Sequence, residues 1–299
     1  MSAAPLVMVA RTGWSDTMKL GMNLLLWTTE VTEEHYPALQ SLKDCGFDGV
    51  EVPVGSGGED DYTALGKVLD DMGLERTAVF AVDEAANPVS ADAAIREAAV
   101  EALREGVAKC QALGATRLVG PFHSAYKTFT GVGPTDAERD RSAEVLRRAA
   151  EEGEAAGVLL AVEPLNRFEC YLMNTVADAR AVIDRVDHSH CGILYDTHHM
   201  HIEEKDVTDA VERAADRINH VHVSESDRGT PGTGQVAWTK TLKALHAAGY
   251  DDWLVIEAFS RKDADFAGMI HIWRDFDPFE DVWRKGHAFI RSAWGAAAQ

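Results

Sequence analysis

Eight short apolar runs recur along the chain, and each is followed by a segment with helical periodicity. The runs are Leu20–Trp27, Gly49–Val52, Thr77–Val82, Arg117–Val119, Val158–Val162, Ile193–Tyr195, Ile218–Val221 and Trp253–Ile256. A run of this length, bounded by glycine or polar residues, reads as a buried strand. Between Ser90 and Gly114, residues Ile95, Ala99, Leu103, Val107 and Cys110 fall on one face of a helix. Thr135 and Glu138 have capping-box spacing at the start of another. Further helices are expected from about residue 33 and over 62–72, 175–187, 206–215, 238–248 and 278–294. Strict alternation of strand and helix implies a parallel sheet, because a helix must carry the chain back before each new strand begins. Eight such units imply closure into a (β/α)8 TIM barrel rather than an open doubly wound sheet. With 299 residues and 46% hydrophobic content, the chain can bury one core of that size. Residues 19–299 are read as a single barrel domain and residues 1–18 as an N-terminal extension.

Several function classes fall away on composition. The formal charge of −20 disfavours electrostatic binding to nucleic acid or anionic lipid. No apolar run is long enough to span a membrane, and the first residues lack the pattern of a signal peptide. Cys45, Cys110, Cys170 and Cys191 show no CxxC spacing, which fits a reducing cytoplasm and excludes a disulfide framework or zinc ribbon. The glycines between Gly55 and Gly58 lack the GxGxxG register of a dinucleotide site.

The last four strands share one further feature. Each ends on a group able to bind metal: Glu163, Asp196, His222 and Glu257, at intervals of 33, 26 and 35 residues. Singly, such a carboxylate is most often a helix cap or surface charge, and a lone histidine a satisfied core residue. Recurrence at the same point of four consecutive units argues against four coincidences, since barrel enzymes build their sites at the carboxyl ends of strands. Three carboxylates and one imidazole suit an octahedral ion such as Mn²⁺, Mg²⁺ or Co²⁺, with positions left for water or substrate oxygens. Glu169 lies six residues beyond Glu163, His199 three beyond Asp196, and Arg228 six beyond His222 in a Gly/Pro-rich loop. They would supply hydrogen bonds to a polyhydroxylated ligand. His198 and His201 read as solvent-facing or structural, and His123 as a weaker candidate for lining the pocket.

The segments Glu163-Pro-Leu-Asn-Arg-Phe-Glu169, Asp196-Thr-His-His-Met200, His222 to Arg228 and Val255-Ile-Glu-Ala258 resemble those of the ketose 3-epimerases. That family includes the D-tagatose and D-psicose (allulose) 3-epimerases, within the xylose isomerase-like barrel superfamily. Asn87-Pro-Val-Ser90 and Ile272-Trp-Arg-Asp275 are also similar, so the likeness covers most of the chain from Lys19 onward. The resemblance implies one divalent ion, usually Mn²⁺, on Glu163, Asp196, His222 and Glu257. It implies that Glu163 and Glu257 form the acid/base pair, that Glu169, His199 and Arg228 bind the reacting end of a ketose, and that the enzyme is a homodimer or homotetramer. The chemistry agrees, because inverting C3 of a ketose means removing the proton α to its carbonyl and returning one on the other face.

Apart from the Asn87-Pro-Val-Ser90 likeness, the loops Asp83–Ser90 and His123–Thr130 depart from the family pattern, and they are expected to shape the far end of the sugar site. Rival readings on the same barrel are an aldose–ketose or hydroxypyruvate-type isomerase and a keto-sugar lyase. A zinc-dependent apurinic-site endonuclease would need a histidine-rich multi-metal cluster, and a non-catalytic sugar-binding protein would not need two opposed glutamates.

Overall fold

The order of strands around the sheet is the order of strands in the sequence. In the computed structural model, which describes residues 18–299, eight parallel strands close into one barrel. They are β1 (Lys19–Asn23), β2 (Gly49–Pro53), β3 (Glu75–Val79), β4 (Arg117–Gly120), β5 (Leu159–Val162), β6 (Cys191–Asp196), β7 (Ile218–Val223) and β8 (Trp253–Ile256). β1 closes on β8 with Lys19 opposite Trp253 and Met22 opposite Ile256. The expected extension falls outside the described residues, except for Met18, which is buried.

Both faces of each strand are covered, which is why the strands read as near-continuous apolar runs. Their outward side chains meet the helices in one large core, and Val79, Val119, Ala161 and Leu194 form a smaller cluster of their own. Side chains alternate in direction along a strand, so Ala161 shares a face with Glu163, and Leu194 with Asp196. The small apolar cluster thus plugs the barrel interior directly beneath those two carboxylates. Glycine permits the tightest approach at the base. A Cβ on Gly49 would lie 2.2 Å from the Glu75 carbonyl oxygen.

The outer layer consists of α1 (Tyr36–Cys45), α2 (Glu59–Met72), α3 (Ala93–Leu113), α4 (Asp136–Ala156), α5 (Val176–Val186), α7 (Val207–Ala214), α8 (Trp238–Ala247) and α10 (Phe279–Ala297). The expected face of α3 is the one that packs inward, with Ala99, Leu103, Val107 and Cys110 buried. The Thr135/Glu138 capping box at the start of α4 is present.

Two short helices were not expected, α6 (Thr197–Glu203) and α9 (Ala264–Met269), both in loops at the carboxyl ends of strands. The first strand is also shorter than its apolar run. Leu24–Leu26 forms a 3-10 turn, because the Asn23 side chain accepts the Leu25 N–H at 2.9 Å and bends the chain out of the sheet. β3 lies earlier than expected, at Glu75–Val79 rather than 77–82.

Candidate metal centre and substrate cavity

Glu163 follows β5, Asp196 ends β6, His222 lies in β7 and Glu257 follows β8, so the four reach the mouth of the barrel from adjacent staves. All four are buried, and one ligand atom from each lies within 4.8 Å of the others. His222 Nδ1 stands 3.3 Å from Glu257 Oε1, 3.7 Å from Asp196 Oδ2 and 3.8 Å from Glu163 Oε1.

Each side chain is aimed by a specific neighbour. Asp196 serves two purposes at once. Its Oδ1 accepts the N–H groups of His198 and His199 and so caps α6, while Oδ2 turns to the centre. The helix-cap reading of this residue is met, and the same carboxylate also faces His222. The main-chain oxygen of Glu163 accepts the His123 Nε2–H at 2.9 Å, and that of Glu257 accepts the Ser224 hydroxyl at 2.7 Å. His123 is therefore a fully buried brace behind the strand end and does not line the cavity.

A layer below the centre escaped the sequence reading. Glu51 on β2 is fully buried, and its Oε1 accepts the His222 Nε2–H at 2.7 Å and the Asn23 amide at 2.9 Å. Its Oε2 accepts the Thr77 hydroxyl at 2.8 Å and lies 2.9 Å from His220 Nε2. Asn23, Glu51 and Thr77 are register partners on β1, β2 and β3, which places them side by side on the inner face. Burial raises the Glu51 carboxyl, but His222 and His220 outweigh it and keep the group ionised. With Nε2–H committed to Glu51, it is Nδ1 of His222 that faces the three carboxylates and would present its lone pair once an ion displaces the Nδ1 proton. A charged residue inside the apolar run Gly49–Pro53 was the available signal.

The electrostatics of the four are unbalanced. Burial and the Glu257 carboxylate push Glu163 well above the ordinary carboxyl range. Burial lifts Asp196 to about 6 despite Arg228. Burial would also raise Glu257, but His222 and Arg228 outweigh it and hold that carboxyl at about 2. Burial would lower His222, but Glu51 and Glu257 outweigh it and raise the ring well above its ordinary value. Glu163 Oε1 and His222 Nδ1 are buried without a hydrogen-bond partner, although such groups are normally paired. Three carboxylate oxygens and one imidazole lone pair converging on one point, two of them unpartnered, are a donor set that fits a divalent ion.

The other candidates surround this centre. Arg228 takes a left-handed backbone conformation at φ 65° and is buried. Its Nη1 donates to Glu257 Oε2 at 2.6 Å, Ser224 Oγ at 2.7 Å and Asp196 Oδ2 at 3.1 Å, and its guanidinium lies over the Phe259 ring. The loop that carries it is stapled by Glu225, whose carboxylate accepts from Ser226, Gly232, Val236 and the Trp238 indole. Glu169 accepts from the Asn166 amide at 2.9 Å and the Tyr126 hydroxyl at 3.3 Å. His199 is buried with Nε2 3.5 Å from Glu163 Oε1. His201 is exposed as expected, whereas His198 lines the cavity and contacts the Glu225 main-chain oxygen.

A cavity of about 610 Å³ opens above the centre. Glu163, Glu169, His199, Arg228 and Glu257 line its floor. Its far wall differs from expectation. Of the two loops expected to shape it, only Tyr126 contributes; the wall is instead built largely by the segment Phe266–Phe276, with Leu25, Val54 and Phe80 opposite. That segment is tied down by Lys127 Nζ, which donates to the Met269 carbonyl at 2.8 Å, and by the Arg261–Asp275 ion pair.

A closed parallel barrel with a divalent-ion donor set at the carboxyl ends of its strands, beneath a cavity, is the architecture of a metal-dependent barrel enzyme. The family model described as xylose isomerase-like TIM barrel matches residues 39–293. A ketose 3-epimerase from Arthrobacter globiformis is 32% identical, over 92% of this chain and 96% of its own. The solved structure of an L-ribulose 3-epimerase superposes with a TM-score of 0.88 at 31% identity, covering 94% of this chain and 96% of that one. A D-allulose 3-epimerase from Methylomonas sp., solved in complex with D-allulose, gives 0.85 at 26% identity, covering 93% and 97%. This chain belongs to the ketose 3-epimerases, a metal-dependent family of carbohydrate epimerases within the xylose isomerase-like TIM barrels.

Proposed function

We propose that this enzyme interconverts ketoses at C3 by proton abstraction and return through a cis-enediolate, with Glu163 and Glu257 as the acid/base pair. The observation that carries this reading is the convergence of those two carboxylates from β5 and β8 on either side of His222, at the floor of a cavity that also presents Arg228 and His199. Glu163, Asp196, His222 and Glu257 would hold one divalent ion, with Mn²⁺ the first choice and Co²⁺ or Mg²⁺ the alternatives. When bound, the ion supplies Lewis acidity that stabilises negative charge developing on the ketose oxygens. Arg228 adds a fixed positive charge beside Glu257, and His199 a neutral donor, at the reacting end of the sugar. Glu169, tied to Asn166 and Tyr126, accepts from a substrate hydroxyl. One glutamate takes the C3 proton, the carbon flattens, and the other glutamate returns a proton to the opposite face.

The same reading takes residues 19–299 as one domain that works in the cytoplasm as a homodimer or homotetramer on a small ketose, without nucleic-acid or membrane partners. No described helix is long and apolar enough to cross a membrane. The four cysteines are free, and Phe168, Met269 and Trp273 expose apolar surface in the loops that follow β5 and β8.

Turnover of D-fructose in D₂O tests the reaction. The product ketose should carry deuterium at C3 and remain protonated at C1, read by NMR. Deuterium at C1 with C3 untouched, or an aldose product, would replace this reading with the isomerase.

Glu51 gives a second expectation. Glu51→Gln leaves the four ligands in place but removes the negative charge that accepts the His222 Nε2–H. Affinity for Mn²⁺ should fall about 10- to 100-fold, as for other partners that orient a metal-bound histidine. Titration calorimetry on metal-stripped protein measures it, and unchanged affinity would place Glu51 in a purely structural role.

A further inference from the structure

Four non-glycine residues among those described take a left-handed backbone conformation: Lys127, Asp187, Arg228 and His271. The conformation is unfavourable for a residue with a Cβ and persists only where the surroundings impose it. Asp187 closes α5, and Arg228 belongs to the centre. The other two, at φ 53° and 65°, meet each other at the cavity wall.

Lys127 comes from the loop after β4, and the barrel holds its main chain. The Lys127 N–H donates to the Glu169 carbonyl at 2.9 Å, and the neighbouring Tyr126 N–H donates to that of Val82 at 3.2 Å. At the other end of the side chain, Nζ donates to the Met269 carbonyl at 2.8 Å. It also stands 3.3 Å from both ring nitrogens of His271, in line with neither lone pair, so Met269 is the directed acceptor. That carbonyl lies in the last turn of α9, where carbonyls lack a partner within the helix and a cation is favoured. His271 ends the same helix. Across it, the Ile272 N–H reaches back to the Ala267 carbonyl at 2.8 Å.

The ammonium therefore joins two sides of the cavity. Around Met269 the chain presents Phe266, Ile270, Ile272 and Phe276 to the interior. Among the described residues, the other polar ties of this segment lie at its ends. Asp263 accepts the Thr29 hydroxyl at 3.1 Å, Asp275 pairs with Arg261, and Asp277 accepts the Thr230 N–H at 2.9 Å. Lys127 alone holds the middle.

We propose that Lys127 is a positioning residue: it holds the 266–276 wall against the far end of the substrate, and through that wall sets the discrimination between longer and shorter ketoses. The ketose rests on the proposed function; the tie does not. A six-carbon ketose reaches one carbon further beyond C3 than a five-carbon one. One further carbon in a shaped apolar pocket is worth about tenfold or more in kcat/KM, and a wall that swings away forfeits it.

Lys127→Met keeps the stem and the main-chain bond to Glu169 but removes the donor, whereas Lys127→Arg keeps a donor. Hydrogen–deuterium exchange of the Mg²⁺-loaded proteins, read by mass spectrometry, tests the tie without substrate. Peptides covering 264–276 should exchange about tenfold faster in Lys127→Met, with those of β5 to β7 unchanged, and Lys127→Arg should lie nearer wild type. With D-fructose, kcat/KM should fall about tenfold in Lys127→Met, through KM, while that for D-ribulose changes by less than about threefold. Unchanged exchange over 264–276 would overturn the proposal, and so would equal losses on the two sugars. Lys127→Arg as impaired as Lys127→Met in both measurements would place the effect in the loop instead of the donor, and overturn it too. Faster exchange confined to the wall, in an enzyme that places no deuterium at C3, would uphold the tie and remove the epimerase reading.

Discussion

Stripping the divalent ion with a chelator should abolish turnover and lower the melting temperature by about 5 °C at neutral pH, and Mn²⁺ or Co²⁺ should restore both. At an ion concentration about a hundredfold above Kd, linkage adds about 2.7 kcal/mol to folding, and in a chain of this size each kcal/mol moves Tm by about 2 °C. His222→Ala should prevent the restoration, since it deletes the one nitrogen donor and leaves Glu51 without its closest cationic partner.

The ion's effect should also depend on pH, in a direction fixed by the buried groups. Asp196 is raised from 3.8 to about 6, so between those values the native state holds a proton that the unfolded chain has released. Stability of the metal-free protein therefore falls as pH rises through that window. Glu163, raised well above 4.5, extends the fall upward. His222, raised well above 6.5, contributes stability below its unfolded value that is lost as pH climbs through its folded one. Glu257, held at about 2, acts in the opposite sense, but only below about pH 4.5. A divalent ion replaces these protons, so its increment in Tm should be larger near pH 8 than near pH 5. Calorimetric melts with and without Mn²⁺ at the two pH values decide it. Full turnover in protein shown to be metal-free, or a larger increment at pH 5, would remove the centre from its assigned place.

What the sequence revealed of this centre follows from how a barrel stave is written. An apolar run buried on both faces stands out, and so does a carboxylate or imidazole at its end, which is why Glu163, Asp196, His222 and Glu257 were found together. The layer beneath was harder to see. Glu51 lies inside its run, Asn23 reads as one residue of a longer strand, and Thr77 and His220 are unremarkable in a half-polar segment; only the barrel's register sets them around one carboxylate. Glu225 acts through geometry that composition does not encode, a carboxylate bonded by four donors. The far wall of the cavity was missed for a different reason. Phe266–Phe276 has no strand periodicity to anchor it, and Lys127, from a loop more than a hundred residues away in sequence, ties it over the mouth.

The two glutamates should separate when each is replaced in turn. Glu163→Gln and Glu257→Gln should each lower the epimerisation kcat about 10³-fold or more, since an amide keeps the shape and an oxygen donor but cannot carry the proton. Glu163→Gln is the cleaner variant, because Glu163 Oε1 has no hydrogen-bond partner to lose. Glu257 accepts the Asn23 amide on one oxygen and Arg228 on the other, so its glutamine must turn an NH₂ toward one of those donors. Metal content must therefore be measured in both. The surviving glutamate makes the outcome specific. In Glu163→Gln, Glu257 still faces one side of C3 and should exchange the C3 proton of one epimer with D₂O, without inverting it. In Glu257→Gln, Glu163 should wash out the C3 proton of the opposite epimer only. Mass spectrometry of D-fructose and D-allulose recovered from each variant would show two complementary patterns of label. Exchange of the same epimer by both metal-loaded variants would mean that the two carboxylates do not stand on opposite faces of C3. Undiminished epimerisation in either would mean that its carboxylate does not carry the proton.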